Sequence, residues 1–582
     1  MKHILKFFYR NFRKNLVVNL INVGGLTLSM AIVIMLTAYC YSELMTDRHH
    51  DNYDQTFLIS SNHKDRGIVA NTPGVLANHL QTTIPQVQKA LRIMGTWNPS
   101  SIGTENGESF RTKLVFADDG FFDVFKYQPV EGNLNKALRE PMSAIIISSE
   151  AIRLFGKTDV IGQTLIINNE YLVKVTAVID ESQSNSFLAF NIILPISSIP
   201  QIPITDSDFT NWNNSFCMTF IQLEKETNHE NTEEVIVKIL QDNTNKNNPA
   251  VDVSLLPVNE IYYAGIDNSF LDFIIPGNKS KVLILLLVAL LIFLMAIINY
   301  LNISSYGLTE RLHQTGILKI VGASGTQLLR NNLFEATLIF ILSFWFAFML
   351  AEILRPVIYY YTGMKFANNL FFSPSFISIS LLVALLCGLL SNLSNAIKIA
   401  AFHPIHSIRK RFNLKNNKGL YQGALVIIQF CAAISLISFT ILVHKQIEFG
   451  GNDLGFTKEN TLAIKLTGQL KKEVLRDKLS SQANVDEISF SRFYPGKSFS
   501  NWGGLMSVND EEKRVLFSTF DADTNFIHIM GIDLVSGRNF SSRDMLDKNK
   551  VIINEAFASE YNIDLPIGKT INIKDEYEII GV

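Results

Sequence analysis

Asp47, His49, His50 and Asp51 lie within one short run and offer the carboxylate and imidazole groups that bind zinc or move protons. Tetrahedral zinc needs a second set of ligands at a fitting spacing, and none follows in the same region. The run is expected to be a solvated loop. Ile567–Thr570 reads IGKT, the ending of a phosphate-binding loop, but Ile563 stands where the first glycine is required. A strand pattern also follows it where a helix is needed. IGQT at Ile161–Thr164 has the same form, so both read as the turn before a hairpin. Cys40, Cys387 and Cys431 fall inside apolar runs and Cys217 stands alone in a polar region, which leaves no disulfide and no CxxC site. No GxSxG or HExxH pattern occurs. Glu335 and Glu352 sit near opposite ends of one apolar run; intramembrane carboxylates can mark ion paths, but these positions point to the membrane interfaces. No catalytic, metal or cofactor residue is assigned, and any ATP hydrolysis is expected on another chain.

What remains is mechanical. Val282–Leu301 is a twenty-residue run in which only Asn299 and Tyr300 carry polar atoms. Twenty helical residues rise about 30 Å, the thickness of a bilayer core. The polar connection TERLHQTGILKIVGASGTQLLRNNLFEA (Thr309–Ala336) then leads into another apolar span. Ile317, Ile320 and Val321 share one helical face, while Arg311 and Lys319 lie elsewhere. Gly322-Ala323-Ser324-Gly325 breaks the helix, and Ser324 or Thr326 is placed to cap the next one. A short amphipathic element between two spans is expected to lie at the membrane surface, where a partner can push it.

The elements that position this segment are membrane spans. Charged residues make up 18% of the chain against 47% hydrophobic, and the apolar residues are bunched. The net charge of −2 gives no footprint for nucleic acid. The N-terminus (1–15) carries Lys2, Lys6, Arg10, Arg13 and Lys14 without an acid, which places it in the cytoplasm. Spans are expected at 16–41, 282–301, 333–354, 376–393 and 423–443. The alternation puts 305–330 and the basic linker 397–422 inside, and both charge and topology agree.

Two outside segments result, 42–280 and 444–582. In the first, Asn71–Ile93 reads as a helix running into a strand, Ala144–Ser148 as a short buried strand, and Thr164–Ile179 as a hairpin around Asn168-Asn169. Phe216–Glu224 is a further strand and Thr232–Asn243 a helix, giving an α+β domain. The second segment repeats the first. Phe116–Asn133 matches Phe520–Asn539, with Gly132 against Gly537; Ile147–Gly156 matches Ile553–Asn562; Asp159–Val178 matches Asp564–Val582. The helix-then-strand opening recurs at Leu470–Ser491. The fold class is therefore a multi-pass α-helical membrane protein with two large α+β domains outside the membrane, as a tandem repeat of span plus soluble domain. The second copy stops at Val582, at the end of a hairpin strand, so the reading frame is expected to continue beyond it.

RLHQTGILKIVGAS resembles the signature of the FtsX/MacB-type ABC transporter permeases. Tyr41–Ile59, Ala401–Lys410 and Gly423–Phe449 followed by DLGF resemble, in order, the family's exit segment, its ending after the fourth span and the fifth span of its eight-span members. The resemblance implies two MacB-like periplasmic domains in the inner membrane of the cell, and a partner ABC-type ATPase that pushes the coupling element. Arg311, Gly316, Ile317, Lys319, Ile320, Val321 and Gly322 would carry that contact. Gln314-Thr315 replaces the family's acidic position, which leaves apolar docking as the expected contact. The implied function is export or extraction of a lipoprotein, peptide or antibiotic-like substrate, with membrane lipid and a periplasmic or outer-membrane protein as further partners. A membrane-anchored sensor or receptor, or a regulator of cell-wall hydrolases, is the alternative. Against a receptor stands the lack of any large cytoplasmic module, and against a secondary transporter the lack of charges at mid-membrane.

Overall fold

The computed structural model describes residues 9–582 apart from 11, 15, 64–66, 97–99, 106–108, 182–184, 203–207, 245–251, 267–272, 307, 363–370, 372, 402–416, 453–454, 458, 465–471, 493–499, 509–510, 520, 542–546 and 574. Most of the basic linker, including the Pro404–Lys410 stretch, and Leu470 thus lie outside the described residues. Among the described residues five helices are long and apolar enough to cross a membrane: Leu16–Leu44, Lys279–Tyr306, Gly325–Thr362, Pro374–Ala401 and Asn417–Asn452. The chain divides into two compact units, Met1–Leu436 and Ile437–Val582.

In the first unit the first helix packs against the second and third, and the third against the fourth. Lipid tails are as apolar as leucine, so such helices associate by close packing rather than by escape from water. Leu26, Met30, Ile34, Ala296, Ile339, Phe340, Phe344 and Ala384 fill the seam. Gly388 lets the fourth helix approach the third, since a Cβ there would lie 3.1 Å from Thr337 Cα. The third helix passes the expected end at 354 and runs through Pro356 to Thr362. Proline forfeits one backbone bond, but Leu354 and Ile358 on either side of it pack against the apolar core of the bundle, and the Arg355 guanidinium lies over the Phe371 ring. Glu352 pairs with Arg355 at 2.9 Å. Glu335 is buried against the neighbouring helices.

The outer domain of this unit is one sheet with helices against it. Its strands are β1 (Thr56–His63), β2 (Gly67–Val69), β3 (Thr72–Pro73), β4 (Val87–Gly95), β5 (Ser100–Gly103), β6 (Ser109–Thr112), β7 (Leu114–Ala117), β8 (Gln128–Gly132), β9 (Ser143–Ile147), β10 (Thr164–Ile167), β11 (Tyr171–Asp180), β12 (Ile192–Pro195), β13 (Ser215–Leu223) and β14 (Val253–Pro257). The order is β14-β1-β13-β4-β7-β12-β9-β11-β10-β5-β6, with β2, β3 and β8 added at the sides. Side chains alternate between the faces of a strand, and here both faces are covered. Val115, Ile145 and Ile193 enter an aromatic core around Phe121, Phe125, Phe187 and Phe220. Their neighbours Phe116, Ile146 and Ile192 enter a second core with Leu165 and Val173. That is why Ala144–Ile147 reads as an unbroken apolar run. Helices Leu76–Thr83 and His229–Asn243 close a third core over β1 and β13. The hairpin β10–β11 turns through Asn168 and Asn169, both at positive φ.

In the second unit β15 (Ser500–Val508) pairs with β16 (Glu511–Thr519), and β17 (Lys550–Ile552), β18 (Thr570–Ile573) and β19 (Asp575–Gly581) form a second sheet. β17 runs parallel to β19 and β18 antiparallel to it, the same relations that β9 and β10 bear to β11. Gly537 bridges to Gly581 at positive φ, as Gly132 pairs with Ala177. A helix forms at Lys472–Ser480, but the strand expected after it is reduced to one bridge, Ser491 with Ala522. An extended segment becomes a strand only where a neighbour takes up its backbone groups, and among the described residues of this segment only that one bridge is formed.

Candidate functional site

The connection between the second and third spanning helices is itself a helix, Leu308–Ile320. Its end is a Schellman motif: Ala323 N–H donates to Leu318 O at 3.0 Å and Gly322 N–H to Lys319 O at 3.1 Å, with Gly322 at φ +102°. Ser324 Oγ then accepts from Gln327 N–H at 3.2 Å and caps the third helix. Thr326 does not serve as the cap; its hydroxyl meets that of Ser324. Leu312, Leu328 and Ile399 form a small core that ties this helix to the third and fourth spans. The connection is therefore fixed to the bundle at its start and turned sharply at its end.

The expected coupling residues divide along this helix. Thr315 and Gly316 are buried. Ile317 is 50% exposed, Ile320 58% and Val321 81%, and Leu318 joins them. Four apolar side chains thus face outward, three on the last turn and Val321 as the residue that closes it, its N–H donating to Ile317 O at 3.1 Å. Lys319, off the apolar face, is half-buried. The side chain of Arg311 lies outside the described residues.

A second group of residues, unassigned from sequence, sits at the opposite end of the bundle where the first two spanning helices meet the outer domain. Tyr262 OH donates to Glu43 Oε2 at 2.8 Å, and Lys281 Nζ to Tyr39 OH at 3.1 Å. Asn185 Nδ2 donates to Ser42 O at 3.1 Å. Asp47 is fully buried; its Oδ2 accepts from Phe187 N–H at 2.9 Å, and its own N–H donates to Asn185 O at 3.0 Å. His50 Nδ1 accepts from Lys126 N–H at 3.0 Å, which leaves Nε2 to carry the proton and face Asp47 Oδ1 at 3.3 Å. Asp47 and His50 therefore form a buried joint, whereas Arg48 and Asp51 stay exposed as expected of a solvated loop. The domain needs backbone partners at its base, and short polar side chains supply them. Burial, with His50 beside it, lowers the pKa of His49 to about 4. Burial and the bond to Glu43 raise that of Tyr262. Among the described residues no set of three metal-ligating side chains comes together. Cys217 is buried and free, its thiol pushed up to about 12 by burial. The sequence signal for the joint was the Tyr262-Tyr263 pair shortly before a span and Glu43 shortly after one.

Residues 20–239 and 434–582 match the MacB-like periplasmic core domain, and residues 286–404 match the FtsX-like permease C-terminal region. The chain belongs to the FtsX/MacB-type ABC transporter permease family. It is a multi-pass membrane protein with large periplasmic domains and a permease subunit of an ABC transporter, a class that works with an ABC ATPase. Among solved structures it is similar to a domain of a permease protein from Porphyromonas gingivalis, at 20% identity and a TM-score of 0.32, over 41% of this chain and 99% of the other. The periplasmic region of MacB from Actinobacillus actinomycetemcomitans is 17% identical, with a TM-score of 0.28 over 36% and 90%. The extracellular domain of the noncanonic ABC-type transporter YknZ from Gram-positive bacteria is 18% identical, with a TM-score of 0.26 over 34% and 99%. No curated protein matches the chain.

Proposed function

We propose that this FtsX/MacB-type permease transmits the ATP-driven motion of a separate ATPase to its periplasmic domains through the helix Leu308–Ile320. The observation that carries this reading is the outward apolar turn of Ile317, Leu318, Ile320 and Val321 on a helix whose other end is packed into the bundle. Exposed apolar side chains at the end of a short helix are what a groove on a partner receives. With the outer domain periplasmic, this turn lies at the cytoplasmic end of the spans. A push there is carried about 30 Å or more by continuous helices to the joint at Glu43, Asp47 and Lys281. The substrate class that the family supports is a lipoprotein, peptide or antibiotic-like molecule handled at the outer face.

The likeness of β9–β11 to β17–β19, with Gly132 and Gly537 in equivalent turns, supports a duplicated outer domain. The chemistry of ATP hydrolysis is assigned to the partner. Purification of the tagged full chain from its own membranes, with the bound ATPase identified by its Walker motifs, tests the coupling. Loss of that ATPase from Ile320→Asp at normal membrane levels is expected; full retention refutes it.

A further inference from the structure

We propose that the outer end of the third spanning helix is an anchor in the lipid headgroup layer, with Tyr359, Tyr360 and Tyr361 as its polar-apolar grip. Contacts between the helices fix the depth. Gly25 of the first helix lies against Asn299 of the second, and Tyr300 stacks edge-on with Phe340 of the third, so these positions share a level. Fifteen residues up each ascending helix, about 22 Å at the helical rise, stand Cys40 and Arg355. Cys40 Sγ meets Val282 O at 3.7 Å, and Lys281 meets Tyr39 one residue away. Arg355 and Lys281 thus mark one plane, the outer edge of the hydrocarbon.

Tyr359–Tyr361 lie about 6–9 Å beyond that plane by the same rise. The headgroup layer on each side is about 5–7 Å deep, and helical side chains lean toward the helix N-terminus, here back toward the membrane, so the phenols reach down into its upper part. Tyr360 is 81% exposed and Tyr361 79%. The occupant follows from continuity of the surface. Leu342, Phe346, Met349, Ile353, Val357 and Tyr360 recur every three or four residues and are all exposed, so one stripe runs from mid-membrane past Arg355. Below that plane the stripe faces acyl chains. Above it the side chain changes to tyrosine, whose apolar ring and hydroxyl suit the boundary between lipid and water. The helix needs about 20 residues to cross the bilayer core and has 38, so an outer extension of this kind is built into its length.

Spin labelling of the full chain in lipid nanodiscs tests the anchor. Nitroxides are placed at Ile353→Cys and, separately, at Tyr360→Cys, with Cys387→Ser and Cys431→Ser removing competing thiols. At Tyr360→Cys, nickel chelated on lipid headgroups is expected to relax the label more strongly than a soluble nickel chelate. At Ile353→Cys oxygen should exceed both. Stronger relaxation by soluble nickel at Tyr360→Cys would put the site in water and overturn the proposal. Spin–spin broadening there that disappears on dilution with unlabelled chain would seat a second copy on the stripe and overturn it equally.

Discussion

Ile320→Asp is the substitution that bears most directly on coupling. The isoleucine keeps 58% of its surface exposed in the free permease. Burying a whole isoleucine side chain contributes about 1.5–3 kcal/mol, so the part still open to a partner is worth about 1–2 kcal/mol. An aspartate in its place would leave a charge without a partner inside a closed contact, which costs about 1–3 kcal/mol more. Together these weaken association by about 3 kcal/mol, or roughly a hundredfold. Neither effect reaches the bundle, because Leu312, Leu328 and Ile399 hold the helix independently of its last turn. The assay is recovery of the ATPase with the tagged permease, alongside the permease level in the membrane. Val321→Asp, at the most exposed of these positions, should behave alike. Undiminished recovery for both variants at normal membrane levels would refute the reasoning and leave the apolar turn resting on lipid headgroups.

Tyr262→Phe deletes the bond to the Glu43 carboxylate and should lower stability by about 1.5–3 kcal/mol, read as a drop in the melting temperature of the purified chain. The pKa of His49 is lowered to about 4 in the fold from an ordinary 6.5. The unfolded chain therefore binds the extra proton first, and this contribution to stability is complete above 6.5 and lost as pH falls toward 4. His49→Asn should flatten the dependence of melting temperature on pH across that window; an unchanged slope would refute the assignment. At Gly132 (φ +91°) a Cβ would lie 2.6 Å from Thr176 O and 2.9 Å from Ala177 Cα, whereas at Gly156 (φ +72°) it meets open space. Gly132→Ala should cost about 3 kcal/mol or more and Gly156→Ala about 1–2 kcal/mol; equal losses in thermal unfolding would contradict the packing argument.

The sequence by itself determined the spans, the helix between the second and third of them, and the hairpin at Asn168-Asn169. Each rests on short-range rules: twenty apolar residues must be helical in lipid because their backbone groups have no water to bond, and glycine and serine stop and cap a helix through their own geometry. The family was legible for the same reason, since RLHQTGILKIVGAS is a continuous stretch. Only the tertiary structure decided which polar residues are buried. Asp47 and His50 look like a solvated run because their partners, Phe187 and Lys126, are far away in sequence. Glu43 likewise finds Tyr262 across 219 positions. Lys319 is half-buried and Glu335 buried despite their charge, because a helix packed into a bundle turns whole faces inward irrespective of single residues. The third helix outlasts its apolar run because Ile358, past Pro356, still packs against the core of the bundle. Burial depends on what packs against a residue, and for these residues that neighbour is supplied by a distant part of the chain.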